Sequence, residues 1–151
     1  MASETAKEIV SELLARSRIA GRIEEEVIPD LSVPYLNIVT DEARFLAGVN
    51  AANLAALEYL AKRIMERATG DPRSPLMIDV NSQRLHYFET LRLEAKNVAR
   101  KVRLYRAELA LKPMSAFERR IIHITLAEYP DIITQSIGEG PSRRVVVKPY
   151  P

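Results

Sequence analysis

The stretch Ser115–Pro130, "SAFERRIIHITLAEYP", is the segment that decides the fold of the C-terminal half of the chain. Its first residues form a capping-box pattern, in which the Ser115 side chain accepts from the Glu118 amide while Glu118 reaches back. At about 100° per residue, one side of the resulting helix would carry Phe117, Ile121, Ile124 and Thr125. The opposite side would carry Arg119 and His123. The spacing therefore predicts a short amphipathic helix with this pair on its outward face.

Strand patterns flank this helix on both sides. Residues 132–137, "IITQSI", and 143–149, "RRVVVKP", predict two strands joined by a Gly/Pro turn, and residues 107–113, "AELALKP", predict another strand upstream. Ser136 has no His/Asp partner that the sequence can assign, so we interpret it as a turn hydroxyl rather than a nucleophile.

Further upstream, a long helix is predicted from Asn81 or Ser82 to about Arg106, with apolar residues three or four apart. At 1.5 Å per residue it would be about 38 Å long, enough to connect two lobes. Its polar side carries a basic stripe, partly offset by Glu89 and Glu94, that consists of Arg92, Lys96, Arg100 and Arg103. Such a stripe is either a solvated face or a surface for an anionic partner.

The N-terminal half mixes helices and strands. Residues 4–17 predict a first helix with Ser3 as its N-cap, and residues 20–28 and 33–40 predict two strands joined by a turn at "PDLS", 29–32. A short helix, a turn at 48–51, a longer helix closed by Gly70, and a strand at 74–80 follow. The longer helix has an apolar stripe formed by Leu54, Leu57, Leu60, Ala61 and Ile64.

Composition limits the classes of protein that fit. With 151 residues, 47% hydrophobic and 28% charged, the chain is expected to fold as one domain or two small ones. It contains no cysteine, which excludes disulfides and thiolate chemistry. No signal peptide or apolar run of membrane-spanning length is visible, so we expect a cytoplasmic protein without membrane insertion.

The charges are distributed unevenly although the net charge is only +2. Residues 1–80 carry 9 Lys/Arg against 13 Asp/Glu, a net of −4, whereas residues 81–151 carry 13 against 7, a net of +6. The basic half is therefore where an anionic partner would bind, if it is not merely a solvated face.

Catalysis and cofactor binding have little support in the sequence. His86 and His123 lack a partner at metal-ligand spacing, and no phosphate-binding or dinucleotide-binding glycine loop is present. The three consecutive glutamates at 24–26 fit a solvated strand or turn better than a metal site. We therefore predict no catalytic residues, no metal and no cofactor.

The Arg119 and His123 pair has a specific chemistry available to it. A guanidinium donates in a fork to phosphate, and an imidazole can donate a hydrogen bond or stack on a base. The pair could equally be two surface residues without a role. Four further cations could extend it into a surface that follows phosphates: Arg120, Arg143, Arg144 and Lys148. Phe117 and Tyr129 could stack on bases or belong to the core.

Residues 111–126, "LKPMSAFERRIIHITL", and 133–149, "ITQSIGEGPSRRVVVKP", resemble the single-stranded nucleic-acid-binding domain named for its Arg-xxx-His motif. The version that they resemble is that of bacterial Jag (SpoIIIJ-associated) proteins. The resemblance includes the Pro-Met before the helix, the Glu-Arg-Arg-Ile-Ile-His core, the Ser136-x-Gly138 turn and the Arg-Arg before a valine run. It implies that Arg119 and His123 are the central contacts, and that Arg144 either supports them or braces the domain.

The upstream order of helix, strand, strand, helix, turn, helix and strand resembles a type II KH domain, which precedes the Arg-xxx-His domain in Jag-like proteins. "NLAALEYLAKRIM", 53–65, is similar to the helix after the phosphate-clamping Gly-x-x-Gly loop of that domain. This chain has Gly48-Val49-Asn50-Ala51 there, without the second glycine and without a cation. The resemblance therefore implies weak RNA binding or conversion to a packing or dimerisation module, and Gly48 is either a remnant of the loop or a turn residue.

The sequence thus predicts an α+β fold of two-layer α/β modules: a type II KH-like module at 1–81, a long connecting helix at 82–106, and an Arg-xxx-His module at 107–151. By resemblance, the protein binds single-stranded RNA or DNA and is a post-transcriptional regulator linked to cell elongation, division or sporulation. The alternative is a structural module that forms a homodimer or binds a protein partner.

Overall fold

The computed structural model describes residues 2–28 and 32–151, and it has the mixed helix and strand content expected of an α+β fold. The chain divides between Leu85 and His86 into two compact units, each with its own three-stranded sheet. In the described part of the chain, no helix is both long enough and apolar enough to cross a lipid bilayer.

The first unit has the predicted element order. It consists of α1 (Ala2–Arg16), β1 (Arg22–Glu26), β2 (Tyr35–Val39), α2 (Ala43–Ala47), α3 (Ala52–Thr69) and β3 (Met77–Val80). The central strand β2 pairs antiparallel with β1 and parallel with β3. Apolar residues of α1 and α3 pack against the sheet around a core that includes Val10, Leu36, Ala61, Met65 and Ile78.

Three details of the first unit differ from the sequence predictions or lie outside the described residues. Ser3 lies inside α1 and its hydroxyl donates to Glu25 on β1, so it is not the N-cap. Leu60 and Ile64 are exposed, because the buried stripe of α3 is rotated to Leu54, Ala61 and Met65. The predicted turn at 29–32 falls mostly on residues 29–31, which are outside the described part.

The second unit contains most of the long helix. α4 (Gln83–Tyr105) is followed by β4 (Leu109–Ala110), α5 (Ala116–Leu126), β5 (Ile132–Ile137) and β6 (Arg144–Pro149). The sheet order is β4-β6-β5 and all pairings are antiparallel, so β6 is the central strand and β5 is an edge strand. The upstream strand is only two residues long, although Leu111 continues its pairing with a bond from its amide to the Val145 carbonyl oxygen, 2.9 Å.

Within the second unit, α4 is a packed element rather than a free connection. Its buried residues are Phe88, Leu91, Ala95, Ala99 and Val102, whereas Tyr105 at its C-terminal end is exposed. The ring centroids of Phe88 and Phe117 lie 5.0 Å apart, which joins α4 to α5 by an aromatic contact. The division at Leu85 follows from this packing, since the helix contributes its apolar side to the core of the second unit.

The two faces of the second sheet are distinct because side chains alternate along a strand. On the inner face, against which α5 packs, lie Thr134 and Ser136 of β5 opposite Val147 and Val145 of β6. On the outer face, the cross-strand pairs are Ile133 with Lys148, Gln135 with Val146, and Ile137 with Arg144. This register decides which of the candidate residues share a surface.

Candidate nucleic-acid interface

The start of α5 is fixed by the predicted capping box. The Glu118 amide donates to Ser115 Oγ at 3.2 Å, and the Ser115 amide donates to Glu118 Oε2 at 2.6 Å. Burial alone would raise the pKa of Glu118, but hydrogen bonds from the Tyr87 hydroxyl and from Ser115 lower it below its usual value. The bond to Glu118 in turn raises the pKa of Tyr87 to about 12. The first turn of α5 is therefore held by an ionised carboxylate with several donors.

His123 lies against the sheet rather than fully outward. Its Nδ1 is 2.6 Å from Thr134 Oγ1 and its Nε2 is 2.9 Å from Ser136 Oγ, so both ring nitrogens have hydroxyl partners. The residues of α5 that are buried are Ile121, Ile122 and Leu126, and the imidazole is half-buried beside them. The helix is thus rotated from the predicted orientation, because the alternating hydroxyls of β5 provide partners for His123 on the inner face.

The electrostatic environment of His123 favours the neutral imidazole. Burial first, and then the positive charge of Arg119, lower the pKa of His123 below its usual value of 6.5. At neutral pH the ring therefore offers an uncharged face for stacking rather than a positive charge. The Thr134 and Ser136 hydroxyls can each donate or accept, so they fit either tautomer of the ring.

Arg119 is half-buried and partly anchored. Its Nη1 donates to the Met114 carbonyl oxygen at 2.8 Å, and the Met114 amide donates to the Arg143 carbonyl oxygen at 3.1 Å. A guanidinium has five N–H donors, and this anchor uses one of them. We refer to Arg119, His123, Thr134 and Ser136 together as the Arg-His cluster.

Arg143 and Arg120 lie at the margins of this cluster. Arg143 Nη1 donates to the Gly138 carbonyl oxygen at 2.9 Å and so braces the β5–β6 turn. Gly138 itself has a φ of +86°, and a Cβ there would lie 3.3 Å from the Ser142 carbonyl oxygen, so the turn requires glycine. Arg120 is exposed one position further around α5.

The other two predicted cations lie on the outer face of the sheet. Arg144 is opposite Ile137 and Lys148 is opposite Ile133, whereas His123 contacts Thr134 and Ser136 on the inner face. Lys148 Nζ is 3.7 Å from Glu108 Oε2, and Arg144 Nε donates to the Ser142 carbonyl oxygen at 3.3 Å. The six candidate residues therefore occupy two surfaces and not one.

The basic stripe of α4 is partly neutralised. Arg92 pairs with Glu89 at 2.7 Å, and Arg103 pairs with Asp131 at 2.5 Å while lying 4.5 Å from the Tyr129 ring centroid. The bond from Arg103 lowers the pKa of Asp131. Lys96 and Arg100 are exposed. Half of the stripe is thus occupied by acidic neighbours, which weakens it as an anion-binding surface.

The loop at Gly48–Ala51 is a tight turn between α2 and α3. Gly48 has a φ of +72°, and a Cβ there would lie 2.6 Å from the Asn53 side chain, whose Nδ2 donates to the Phe45 carbonyl oxygen at 2.8 Å. Gly48 is therefore required by the turn itself. Val49 is exposed, and Asn50 and Ala51 have φ of +51° and +58°.

Ala51 occupies the left-handed conformation that a second glycine would adopt without strain. We expect Ala51→Gly to raise the free energy of unfolding of the first unit by about 1 kcal/mol, because the Cβ strain is removed. Urea denaturation followed by circular dichroism measures it. The matched control is Ala56→Gly at an exposed position inside α3, which should lower the free energy of unfolding by about 1 kcal/mol. If both variants lowered the free energy of unfolding, Ala51 would not be strained in its left-handed conformation.

The glutamates at 24–26 are engaged with neighbours in the first unit. Glu24 pairs with Arg22 at 2.5 Å, Glu25 accepts from Ser3, and Glu26 accepts from Asn37 at 3.5 Å. Among the described residues, no group of three or more His, Cys, Asp or Glu could hold a metal ion.

Sequence reasoning missed the roles of Thr134 and Ser136. We interpreted Ser136 as a turn hydroxyl and gave Thr134 no role, yet both orient the His123 ring. The alternation in "IITQSI" was the available signal, because it places Ile132, Thr134 and Ser136 on the same face of β5.

Comparison with known proteins gives one domain family and several curated relatives. Residues 89–149 match the Arg-xxx-His (R-3-H) domain. A protein from Clostridium symbiosum named RNA-binding protein KhpB is 32% identical over 126 residues, covering 78% of this chain and 56% of that protein. Proteins of the same name from Bacillus subtilis (strain 168) and Lactiplantibacillus plantarum are 33% and 32% identical, covering 85% and 97% of this chain. The chain spans 62% and 47% of those two proteins, so it corresponds to about half the length of these relatives.

Proposed function

This chain is a relative of the KhpB proteins and carries an Arg-xxx-His domain at residues 89–149, and from that premise we propose that it binds single-stranded nucleic acid, with RNA as its natural ligand. The observation that supports this best is the Arg-His cluster. It presents a guanidinium with unused donors beside an imidazole whose ring is oriented by two hydroxyls.

The chemistry of the cluster fits one nucleotide contact. The Arg119 guanidinium matches a phosphate, to which it can donate two parallel hydrogen bonds. The neutral imidazole of His123, whose two ring nitrogens already have hydroxyl partners, supplies the face of its ring for stacking on the adjacent base. Arg120 adds a positive charge at the exposed margin. A phosphate and its neighbouring base would thus be held by different groups, without a requirement for a particular sequence.

The proposal extends to the first unit and to the whole protein. The first unit would be a type II KH domain whose loop, without a cation in it, contributes weak RNA affinity. The role would be regulatory rather than enzymatic, in the cytoplasm, and linked to cell elongation, division or sporulation. The names of the curated relatives support RNA binding, and the link to these cell processes rests on the family resemblance.

Binding should depend strongly on salt. Neutralising each phosphate of a single strand contributes about −0.7 to the slope of log K against log salt, so three or four contacts predict a slope of about −2 to −3. Fluorescence anisotropy of a labelled single-stranded RNA across a potassium chloride series measures this slope. A duplex of the same sequence is the control and should bind more weakly, because its bases cannot reach the His123 ring. An absence of salt-sensitive binding to the single strand would refute the proposed function.

A second candidate function is self-association through the first unit. Leu60 and Ile64 are 49% and 41% exposed and lie one turn apart on α3, so they form a small apolar surface that a second copy or a protein partner would cover. A homodimer or protein partner stays a prediction, and sedimentation velocity at micromolar concentration would distinguish a dimer from a monomer.

A further inference from the structure

The outer face of the second sheet combines exposed apolar side chains on β5 with half-buried cationic side chains on β6, on either side of the buried Val146. Ile133 and Ile137 of β5 are 40% and 41% exposed, and Gln135 between them is also exposed. Isoleucines at alternate positions of a strand normally face a core, so two of them at the surface form an unpartnered apolar strip. We refer to Ile133, Gln135, Ile137, Arg144 and Lys148 as the outer sheet face.

The cations of this face lie directly beside its isoleucines. Arg144 is the cross-strand neighbour of Ile137, and Lys148 is that of Ile133. At about 3.3 Å per residue, the two cations are about 13 Å apart along β6, with Val146 between them. The Tyr150 amide donates to the Asp131 carbonyl oxygen at 2.9 Å, so the ladder continues and the alternation places Tyr150, 56% exposed, next on the same side.

This combination favours an extended anion with planar apolar groups over an apolar protein surface. A protein partner for the isoleucines would also have to bury the Arg144 charge and the Lys148 charge, and only Lys148 has a carboxylate nearby, Glu108 at 3.7 Å. That burial costs free energy unless the partner provides a carboxylate for Arg144. A single-stranded nucleic acid provides phosphates for the cations and bases for the apolar and aromatic side chains at a regular spacing. The second unit also carries 12 Lys/Arg against 7 Asp/Glu over residues 86–151, a net of +5, which attracts such a ligand.

The edge position of β5 connects this face to the Arg-His cluster. β5 is the last strand of the order β4-β6-β5, and its inner-face residues Thr134 and Ser136 contact His123. Ile133 and Ile137 alternate with these residues and point to the other side of the same strand. A single-stranded RNA bound at His123 therefore needs to cross only one β-strand of the protein to reach the outer sheet face.

We propose that the outer sheet face is a second contact surface for the same single-stranded RNA, which passes around the edge strand β5 from the Arg-His cluster. Arg144 and Lys148 bind phosphates, and Ile133, Ile137 and Tyr150 contact unpaired bases. This proposal rests on the proposed function and adds that the binding site is longer than one face. The Arg-His cluster alone determines affinity for a short oligonucleotide, whereas both surfaces determine affinity for a longer one.

Oligonucleotide length separates the two surfaces experimentally. Labelled oligouridines of about 4 and about 16 nucleotides, near the limits of small single-strand sites, are titrated by anisotropy with the full chain. The variant Arg144→Gln/Lys148→Gln should bind the longer RNA about tenfold more weakly, with a salt slope reduced by about 1.4, and bind the shorter RNA as wild type does. Ile133→Thr/Ile137→Thr keeps β-branched side chains in the strand and should also weaken only the longer RNA.

The controls and opposite outcomes are distinct. Arg67→Gln/Arg73→Gln removes two exposed charges from the first unit and should leave both affinities nearly unchanged. If the outer-face variants bind the longer RNA as wild type does, while Arg119→Ala still weakens it, this proposal is overturned and the proposed function stands. The proposal would also be overturned if the outer-face variants lost as much affinity for the shorter RNA as for the longer one. If those variants kept their RNA affinity but lost self-association in sedimentation, the outer sheet face would be assigned to a protein contact instead. If wild type binds neither RNA, the proposed function itself fails.

Discussion

The double variant Arg119→Ala/His123→Ala should bind single-stranded RNA about 100-fold more weakly than wild type. A hydrogen bond from Arg119 to a charged phosphate contributes about 1.5–3 kcal/mol, and stacking of a base on the His123 ring about 1–3 kcal/mol, so the two losses together reach this size. Anisotropy at one fixed salt concentration measures it. The variant should remain folded, because the capping box at Ser115 and Glu118 and the buried residues Ile121 and Ile122 are unchanged.

The control for this variant is Arg73→Ala, which removes one positive charge from the exposed turn before β3. It should weaken binding less than twofold, because it lies outside both proposed surfaces and its charge is screened by salt. If the double variant binds as tightly as this control, the Arg-His cluster is not the contact site, whatever the salt dependence of the wild-type protein.

The single variants should separate the part of the binding that depends on charge from the part that does not. At pH 7.5, Arg119→Ala should reduce the salt slope by about 0.7, whereas His123→Ala should weaken binding without changing the slope, since the lowered pKa of His123 leaves the ring neutral. Below pH 6.5 protonation of His123 adds a positive charge beside the phosphate. Wild-type affinity should therefore rise as the pH falls, and His123→Ala should lack this rise.

The same lowered pKa has the opposite consequence for stability. The unfolded chain binds the His123 proton at a higher pH than the folded protein does, so the neutral ring stabilises the fold above pH 6.5. This contribution is lost as the pH falls from 6.5 towards the pKa of the folded state. Bound RNA would offset the loss, because phosphate favours the protonated ring.

The periodicity of the sequence predicted the helices and strands of this protein better than it predicted which residues contact one another. The capping box at Ser115 could be predicted from the sequence because all of its atoms lie within four residues, and the structure has both of its hydrogen bonds. The division of the candidate cations between the two faces of the second sheet could not be predicted in the same way. It depends on β6 being the central strand and on the register that pairs Ile137 with Arg144, which are long-range choices.

The rotation of α3 and α5 has a related cause. The apolar spacing of a helix fits two buried faces that differ by a rotation of one residue. The sequence therefore predicted that Leu60 and Ile64 of α3 are buried, whereas the structure buries Met65. For α5, helical spacing assigned His123 no partner because the hydroxyls that hold it lie 11 and 13 residues further along the chain. Only the packing of α5 on β5 brings them together.

Asp79 is the residue whose loss should destabilise the first unit most. Its side chain is fully buried and accepts four hydrogen bonds: from the Tyr35 hydroxyl, and from the amides of Val80 at 2.7 Å, Arg84 at 2.9 Å and Leu85 at 3.1 Å. Two of these donors are in the first turn of α4, so the carboxylate caps that helix from inside the unit. The nearby Glu58 accepts from the Ile78 amide and pairs with Arg84. Burial alone would raise the pKa of Glu58, but Lys62, Ile78 and Arg84 together lower it.

Asp79→Ala should therefore lower the free energy of unfolding of the first unit by about 4 kcal/mol, a large part of the roughly 5–15 kcal/mol typical of a domain. The cost arises because the Tyr35 hydroxyl and three amides lose their acceptor in a site closed to water. Tyr35→Phe removes one donor and leaves the carboxylate with three, so it should cost only about 1–2 kcal/mol. In the double variant the two losses should sum to less than their separate values, because the alanine has already removed the acceptor of the hydroxyl. Urea unfolding of all three variants tests this coupling, and a loss below about 1 kcal/mol for Asp79→Ala would show that the carboxylate does not hold the start of α4.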